Sequence, residues 1–203
     1  MTPFIKICGV TRPEDALLAV SLGATHIGVV RTETSPRWAP PEQARAVFDS
    51  VAGKTETVYV FKDIPISQAI SDAKFARAMN IQLYNATDKD VALATSEGFC
   101  VYRAYLMGTK EKSLPVLNPA PSVDSPAIID VGSGGSGKQF DWKLLGEHAP
   151  DATFIAGGVH AGNVHELLKY QPYGIDLASG IESSPGFKSE MKLQKFFKEV
   201  LKL

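Results

Sequence analysis

The sequence predicts a single-domain (β/α)₈ barrel spanning residues 1–203, and three observations point there. Short runs rich in Val, Ile and aromatic residues recur at fairly even spacing, at Phe4–Cys8, Thr25–Arg31, Glu56–Lys62, Asn80–Tyr84, Phe99–Tyr105, Pro126–Val131, Ala152–Gly157 and Tyr173–Ser179. Several of them, such as Ile27–Val30, Ile128–Val131 and Phe154–Ala156, are almost continuously apolar, as parallel strands covered by helices are and half-exposed antiparallel strands are not. Most of the intervals between them carry a helical pattern, and about 200 residues is the lower size limit for eight strand–helix units closed by right-handed crossovers. The structural rival, a doubly wound open sheet, calls for a glycine-rich fingerprint after the first strand. This chain has Cys8-Gly-Val-Thr11 there instead.

Taken in order, the first helical interval opens on Thr11-x-x-Glu14, which has the form of a capping box. Pro13 sits in the first turn, Gly23 serves as the stop, and Ala16, Leu17 and Val20 form the buried stripe. Pro40–Val51 repeats apolar residues at Ala44, Val47, Phe48 and Val51, and Ile66–Arg77 does so at Ile66, Ala69, Ile70 and Ala73. The last segment carries Leu193, Phe196, Phe197, Val200 and Leu201. Leu106–Ser125 contains three X-Pro pairs and ends on a fourth, Ser125-Pro126. Because the residue before proline is driven out of helical geometry, the fifth helix is expected to be short or missing.

Composition narrows the function class. With 21 basic and 22 acidic side chains and a formal net charge of −1, the chain has no electrostatic footprint for nucleic acid and no basic cluster for a membrane surface. No run approaches the roughly 20 apolar residues that span a bilayer. The two cysteines, Cys8 and Cys100, make no disulfide framework, and His and Cys never fall at zinc-ligand spacing. No apolar leader follows Met1-Thr-Pro-Phe-Ile-Lys6. The expectation is a cytoplasmic protein with a small-molecule partner and no metal.

In a barrel, the side chains at the carboxyl ends of the strands converge on one mouth. Here those positions are Cys8, Arg31, Lys62, Tyr84, Arg103, Asp130, Gly157-Gly158 and Ser179-Gly180, a mostly polar set on mostly apolar strands. A thiol at Cys8 can act as base or nucleophile where a neighbouring charge supports the thiolate; a lone cysteine also packs as a small apolar residue. Asp130 ends an apolar run, so it either faces the mouth, where partial desolvation suits it to donate a proton, or takes backbone donors from its own loop, Gly132–Gly137. Gly157-Gly158 and Ser179-Gly180 follow the seventh and eighth strands, the two loops that commonly give backbone N–H groups to a phosphate in this fold. Arg37, in Ser35-Pro-Arg-Trp38, can grip a carboxylate with two hydrogen bonds.

Five motifs in order along the chain resemble the phosphoribosylanthranilate isomerase family of tryptophan biosynthesis: Lys6-Ile-Cys-Gly-Val-Thr-Arg-Pro-Glu-Asp-Ala16, Ser35-Pro-Arg37, Gly134-Gly-Ser-Gly-Lys-x-Phe-Asp-Trp142, Ala156-Gly-Gly-x-x-x-x-Asn-Val164 and Ser179-Gly-Ile-Glu-x-x-Pro-Gly-x-Lys188. The resemblance implies an Amadori rearrangement of a phosphorylated ribosylamine, without cofactor, by a monomer or homodimer. It makes Cys8 the general base at C2′ and Asp130 the general acid that opens the furanose. It also implies that Arg37 holds the anthranilate carboxylate, that Gly157, Gly158, Ser179 and Gly180 hold the phosphate, and that Lys6 belongs to the substrate-binding set.

Departures from the family cluster around the aglycone. Arg31 stands where an aromatic residue is usual, Lys62 replaces an apolar residue at the end of the third strand, Tyr84 replaces histidine in Gln82-Leu-Tyr-Asn85, and Ala178 replaces a serine. Two alternatives therefore stand beside the leading reading: an isomerase of another ribosylamine 5-phosphate, and a phosphosugar-binding barrel without turnover. The related histidine-pathway isomerase fits less well, because it usually carries aspartate where this chain has Cys8.

Overall fold

A computed structural model describes residues 2–132 and 137–201. Eight parallel strands close into a barrel in sequence order, with the eighth pairing back onto the first. They are β1 (Phe4–Ile7), β2 (His26–Val30), β3 (Glu56–Lys62), β4 (Asn80–Tyr84), β5 (Cys100–Met107), β6 (Ala127–Val131), β7 (Thr153–Ile155) and β8 (Gly174–Leu177). Every expected strand is present; β5 runs two residues further than its sequence pattern suggests, and β7 is short. Helices α1 (Pro13–Leu22), α2 (Pro41–Ser50), α3 (Ile66–Ala76), α4 (Asp88–Ser96), α5 (Val164–Leu168) and α6 (Glu190–Val200) cover the barrel.

No helix lies among the residues between β5 and β6, as the prolines there predict. The next interval is thinner than expected as well: of its described residues, only Trp142–Leu145 form a 3₁₀ turn. Buried Phe140, Trp142 and Leu145 take the place of a helix face, and Leu114 and Leu117 pack from the extended segment after β5.

Two local expectations need correction. Thr11 is not the N-cap of α1; Arg12 is, without a side-chain cap, while the Thr11 hydroxyl donates to the Gly186 carbonyl at 2.6 Å. Pro13 begins the helix as expected, and Gly23 ends it in the left-handed region at φ 112°, with its N–H on the carbonyls of Ala19 and Val20. α1 buries Asp15, Ala16 and Ala19 and packs half-buried Val20 on the core, whereas Leu17 is exposed, as is Leu201 beyond α6. A capping box does occur, at Thr87 and Asp90 on α4.

The strands bury two different surfaces. Their outer faces pack on the helices, with Ile27, Tyr59, Ile81 and Ile129 against Val47, Phe48, Ala73 and Phe196 in one continuous core. Their inner faces fill the barrel. At the amino-terminal end His26, Tyr102 and Phe154 stack with ring centroids 5.1–6.0 Å apart, and Phe4 and Tyr173 close the plug. Gly174 makes room for it: a Cβ there would lie 2.4 Å from the Phe154 ring. With its floor sealed by aromatic rings, the barrel can open only at its carboxyl end. Among the described residues no helix is long and apolar enough to cross a membrane, and no group of three or more His, Cys, Asp and Glu could hold a metal ion.

His26 sits in the plug with its ring nitrogens 2.8 Å from the Thr25 hydroxyl and 3.1 Å from that of Tyr102. Burial, helped by the Lys6 charge, lowers its pKa to about 4. The native state thus refuses a proton that the unfolded chain accepts near pH 6.5. Stability from this group is complete above pH 6.5 and is lost as pH falls toward 4, by about 3 kcal/mol. Urea titrations across this range should show that slope in the native sequence and a shallower one in His26→Asn.

Candidate active site

The carboxyl ends of the strands enclose a cavity of about 190 Å³, lined by Cys8, Arg37, Lys62, Tyr84, Asp130 and Asp176, with the main chain of residues 156–159 and 178–180 along one side. Seven of the eight site residues expected from the sequence line it. The eighth, Lys6, does not: it is fully buried one layer below, inside the barrel, with Nζ 2.9 Å from Asp176 Oδ2. Strand alternation explains this placement. Lys6 and Cys8 point the same way from β1, and Asp176 is the register partner of Lys6 across the β1–β8 seam.

Cys8 is half-buried at the floor of the cavity. Burial pushes its thiol above the ordinary value, opposed chiefly by the ammonium of Lys6, while Asp176 pushes the same way as burial. Burial alone would also discharge Lys6, but Asp176 and Cys8 outweigh it and hold the ammonium above its ordinary range. Lys6 is therefore the cation that supports a thiolate at Cys8.

Asp130 is 4% exposed. Its Oδ1 accepts the Val131 N–H and its Oδ2 accepts the Tyr84 hydroxyl, both at 2.7 Å. Burial raises its pKa; the Tyr84 hydrogen bond opposes this, and the charge of Asp176 adds to it. Of the loop donors considered for Asp130, residues 133–136 lie outside the described residues.

The aliphatic stem of Arg37 packs over Gly9, where a Cβ would fall 2.4 Å from its Cδ. Its Nε and Nη2 bind Glu182 in a fork at 2.7–3.1 Å, leaving Nη1 without a hydrogen bond among the described residues. Glu182 begins the hairpin formed by β9 (Glu182–Ser184) and β10 (Phe187–Lys188), and it also receives Lys188 Nζ at 2.8 Å. Burial works against the carboxylate, but Arg37 and Lys188 outweigh it and hold its pKa below the usual range. Lys188 donates a second hydrogen bond, at 2.6 Å, to the Cys8 carbonyl. Glu182 and Lys188 stand in the motif Ser179–Lys188 but were given no role from the sequence, and no motif contains Asp176, for which the available signal was an acid at an inward position of an apolar strand.

The glycine turns are built for close approach. Gly157 and Gly158 have φ of 92° and 65°, and a Cβ on either would come within 3 Å of Val131, Gly137 or Lys138 atoms. At Gly180 a Cβ would sit 2.1 Å from the Val159 carbonyl oxygen. No main-chain acceptor among the described residues takes the N–H of Gly157 or Gly158.

Two expected mouth residues are elsewhere. Arg31 turns away from the cavity, with Nε 2.7 Å from Asp72 and Nη1 3.3 Å from Glu33, leaving Val30 and Thr32 to line the wall. Arg103 lies in the middle of the longer β5 and binds Asp88 and the carbonyls of Ala86 and Asn118. Lys62 and Tyr84 do face the cavity, side by side in register, with the ammonium 6.0 Å from the ring centroid.

A family model described as N-(5′-phosphoribosyl)anthranilate (PRA) isomerase matches residues 5–199. An N-(5′-phosphoribosyl)anthranilate isomerase of Pelobacter propionicus is 32% identical over 203 residues, covering 96% of this chain and 93% of that protein. The crystal structure of phosphoribosyl anthranilate isomerase from Thermus thermophilus superposes with a TM-score of 0.85 at 31% identity, covering 98% of both chains. A further structure, of a phosphoribosyl anthranilate isomerase in complex with reduced 1-(o-carboxyphenylamino)-1-deoxyribulose 5-phosphate, shares the fold with a TM-score of 0.81 at 23% identity, over 99% of this chain and 100% of that one. The chain belongs to the N-(5′-phosphoribosyl)anthranilate isomerase family.

Proposed function

We propose that this protein isomerises N-(5′-phosphoribosyl)anthranilate to 1-(2-carboxyphenylamino)-1-deoxyribulose 5-phosphate, with Cys8 as general base and Asp130 as general acid. The observation that carries this reading is a single cavity holding a thiol beside a buried ammonium, a carboxyl group of raised pKa, and two glycine turns on one side. Asp130 gives its proton to the furanose ring oxygen, the C–O bond breaks, and a Schiff base forms between C1′ and the anthranilate nitrogen. The Cys8 thiolate then removes the C2′ proton. The resulting enolamine takes up a proton at C1′ while its 2′-hydroxyl gives up its own, and the aminodeoxyketose forms. Hydrogen moves from C2′ to C1′ with no net oxidation, so a proton pair suffices.

Substrate lies across the mouth. Its phosphate is held by the main chain of Gly157, Gly158, Ser179 and Gly180 after β7 and β8. The aromatic ring lies toward β3 and β4, diametrically across an eight-stranded barrel, against Lys62 and Tyr84. Arg37, oriented by Glu182, offers Nη1 to the carboxylate.

Purified protein should turn over this substrate. Cys8→Ala and Asp130→Asn should each cut kcat/KM by about 10² to 10⁴ with circular dichroism unchanged; a folded, inert wild type overturns the reading. Glu182→Gln leaves Arg37 and Lys188 facing each other without a counter-charge, so it should cost about 3 kcal/mol by chemical denaturation and raise KM. Gly180→Ala, by displacing the Val159–Gly180 contact, should raise KM at least about tenfold with a smaller effect on kcat, the signature of lost uniform binding.

A further inference from the structure

Asp130 carries out its proposed step with both oxygens already engaged, and the two partners differ in kind. The Val131 N–H belongs to the strand itself and binds Oδ1 whatever surrounds the site. The Tyr84 hydroxyl reaches Oδ2 from β4, two strands away around the barrel, and among the described residues no other side chain is seen to hydrogen-bond the carboxyl group. Both residues line the cavity. A carboxyl group at a strand end that must present one oxygen to substrate needs its χ angles fixed, and a hydroxyl at 2.7 Å does so at the oxygen left free by the main chain.

We infer that Tyr84 is the positioning residue for the acid: its hydroxyl fixes the carboxyl plane of Asp130 and stabilises the carboxylate left after the furanose oxygen has been protonated. The inference rests on the acid role proposed for Asp130.

The charges around the carboxyl group show why such a partner matters. Burial and the neighbouring carboxylate of Asp176 on β8 disfavour the ionised form, whereas Lys6 on β1 and the Val131 N–H favour it. Cys8 on β1 and Lys62 on β3 also face this space. Lys6 is already paired with Asp176, so the Tyr84 hydrogen bond is the main contribution working against burial. Tyr84 itself remains a donor at all working pH values, because burial, the Asp130 charge and the nearby Cys8 and Asp176 hold its phenol well above the ordinary range. An acid too strongly desolvated keeps its proton; a donor on its conjugate base lets the proton go. At this position the family usually carries histidine, which can also donate to a carboxylate.

The test is Tyr84→Phe, which removes one oxygen, with Tyr84→His as the variant that keeps a donor. In protein carrying ¹³C-carboxyl aspartate, the Asp130 signal, assigned by its absence in Asp130→Asn, should titrate at higher pH in Tyr84→Phe than in wild type. In the same variant kcat should fall about tenfold, the worth of one hydrogen bond to a charged group, with KM within about twofold, and Tyr84→His should recover part of the rate. An unmoved Asp130 titration in Tyr84→Phe overturns the inference whatever happens to kcat, since Tyr84 then acts on substrate or on packing. Should Asp130→Asn instead retain wild-type kcat/KM, the acid assignment itself fails, and the titration still reports on the Tyr84–Asp130 bond independently.

Discussion

The buried ion pair between Lys6 and Asp176 is the interaction on which the site is built. The two residues are register partners on β1 and β8, the seam where the barrel closes, so the pair bridges the first and last strands inside the molecule. A lysine with no solvent exposure needs a counter-charge, and removing either partner leaves the other uncompensated in a low-dielectric interior. Beneath it the rings of His26, Tyr102 and Phe154 seal the barrel; above it lie Cys8 and the cavity. Closure of the sheet, exclusion of water from the floor and the charge that opposes burial at the Cys8 thiol thus meet at one contact. A neutral residue at position 6 would leave the thiol with burial and the Asp176 charge both holding its proton on.

A second ionic cluster does for the rim what the first does for the floor. Arg37 comes from the loop after β2, while Glu182 and Lys188 come from a hairpin near the end of the chain. Their hydrogen bonds tie those distant segments together, and Lys188 adds the link to the Cys8 carbonyl. Two cations around one carboxylate leave the cluster with a net positive charge, and Nη1 of Arg37 has no hydrogen bond among the described residues. Polarity is thereby graded through the barrel: aromatic plug, compensated ion pair, the thiol of Cys8 and carboxyl group of Asp130, then a cationic rim.

The pattern of departures from the family takes on a different weight in three dimensions. Arg31 has no bearing on the pocket, because an odd step along β2 turns it outward onto Asp72. Arg103 is likewise outside, since its neighbours Tyr102 and Ala104 on β5 take the inward positions. Lys62 and Tyr84 remain, and they are neighbours in register on adjacent strands. Tyr84 has a partner in Asp130, so the replacement of histidine preserves a hydrogen-bond donor instead of merely changing the wall.

The sequence by itself determined the barrel, the absent fifth helix, and the thiol, the acid and the glycine turns at the mouth. These depend on short-range physics: apolar runs of strand length, proline's exclusion of the helical conformation from its neighbour, and glycine at turns where no Cβ fits. Tertiary structure alone decided who pairs with whom. Lys6 with Asp176 is separated by 170 residues, Arg37 with Glu182 by 145 and Tyr84 with Asp130 by 46. Such partners are created by barrel closure and strand register, and no local pattern encodes them. For the same reason Lys6, which stands in the most legible motif of the chain, turned out to face the interior below the cavity, where its charge acts on Cys8.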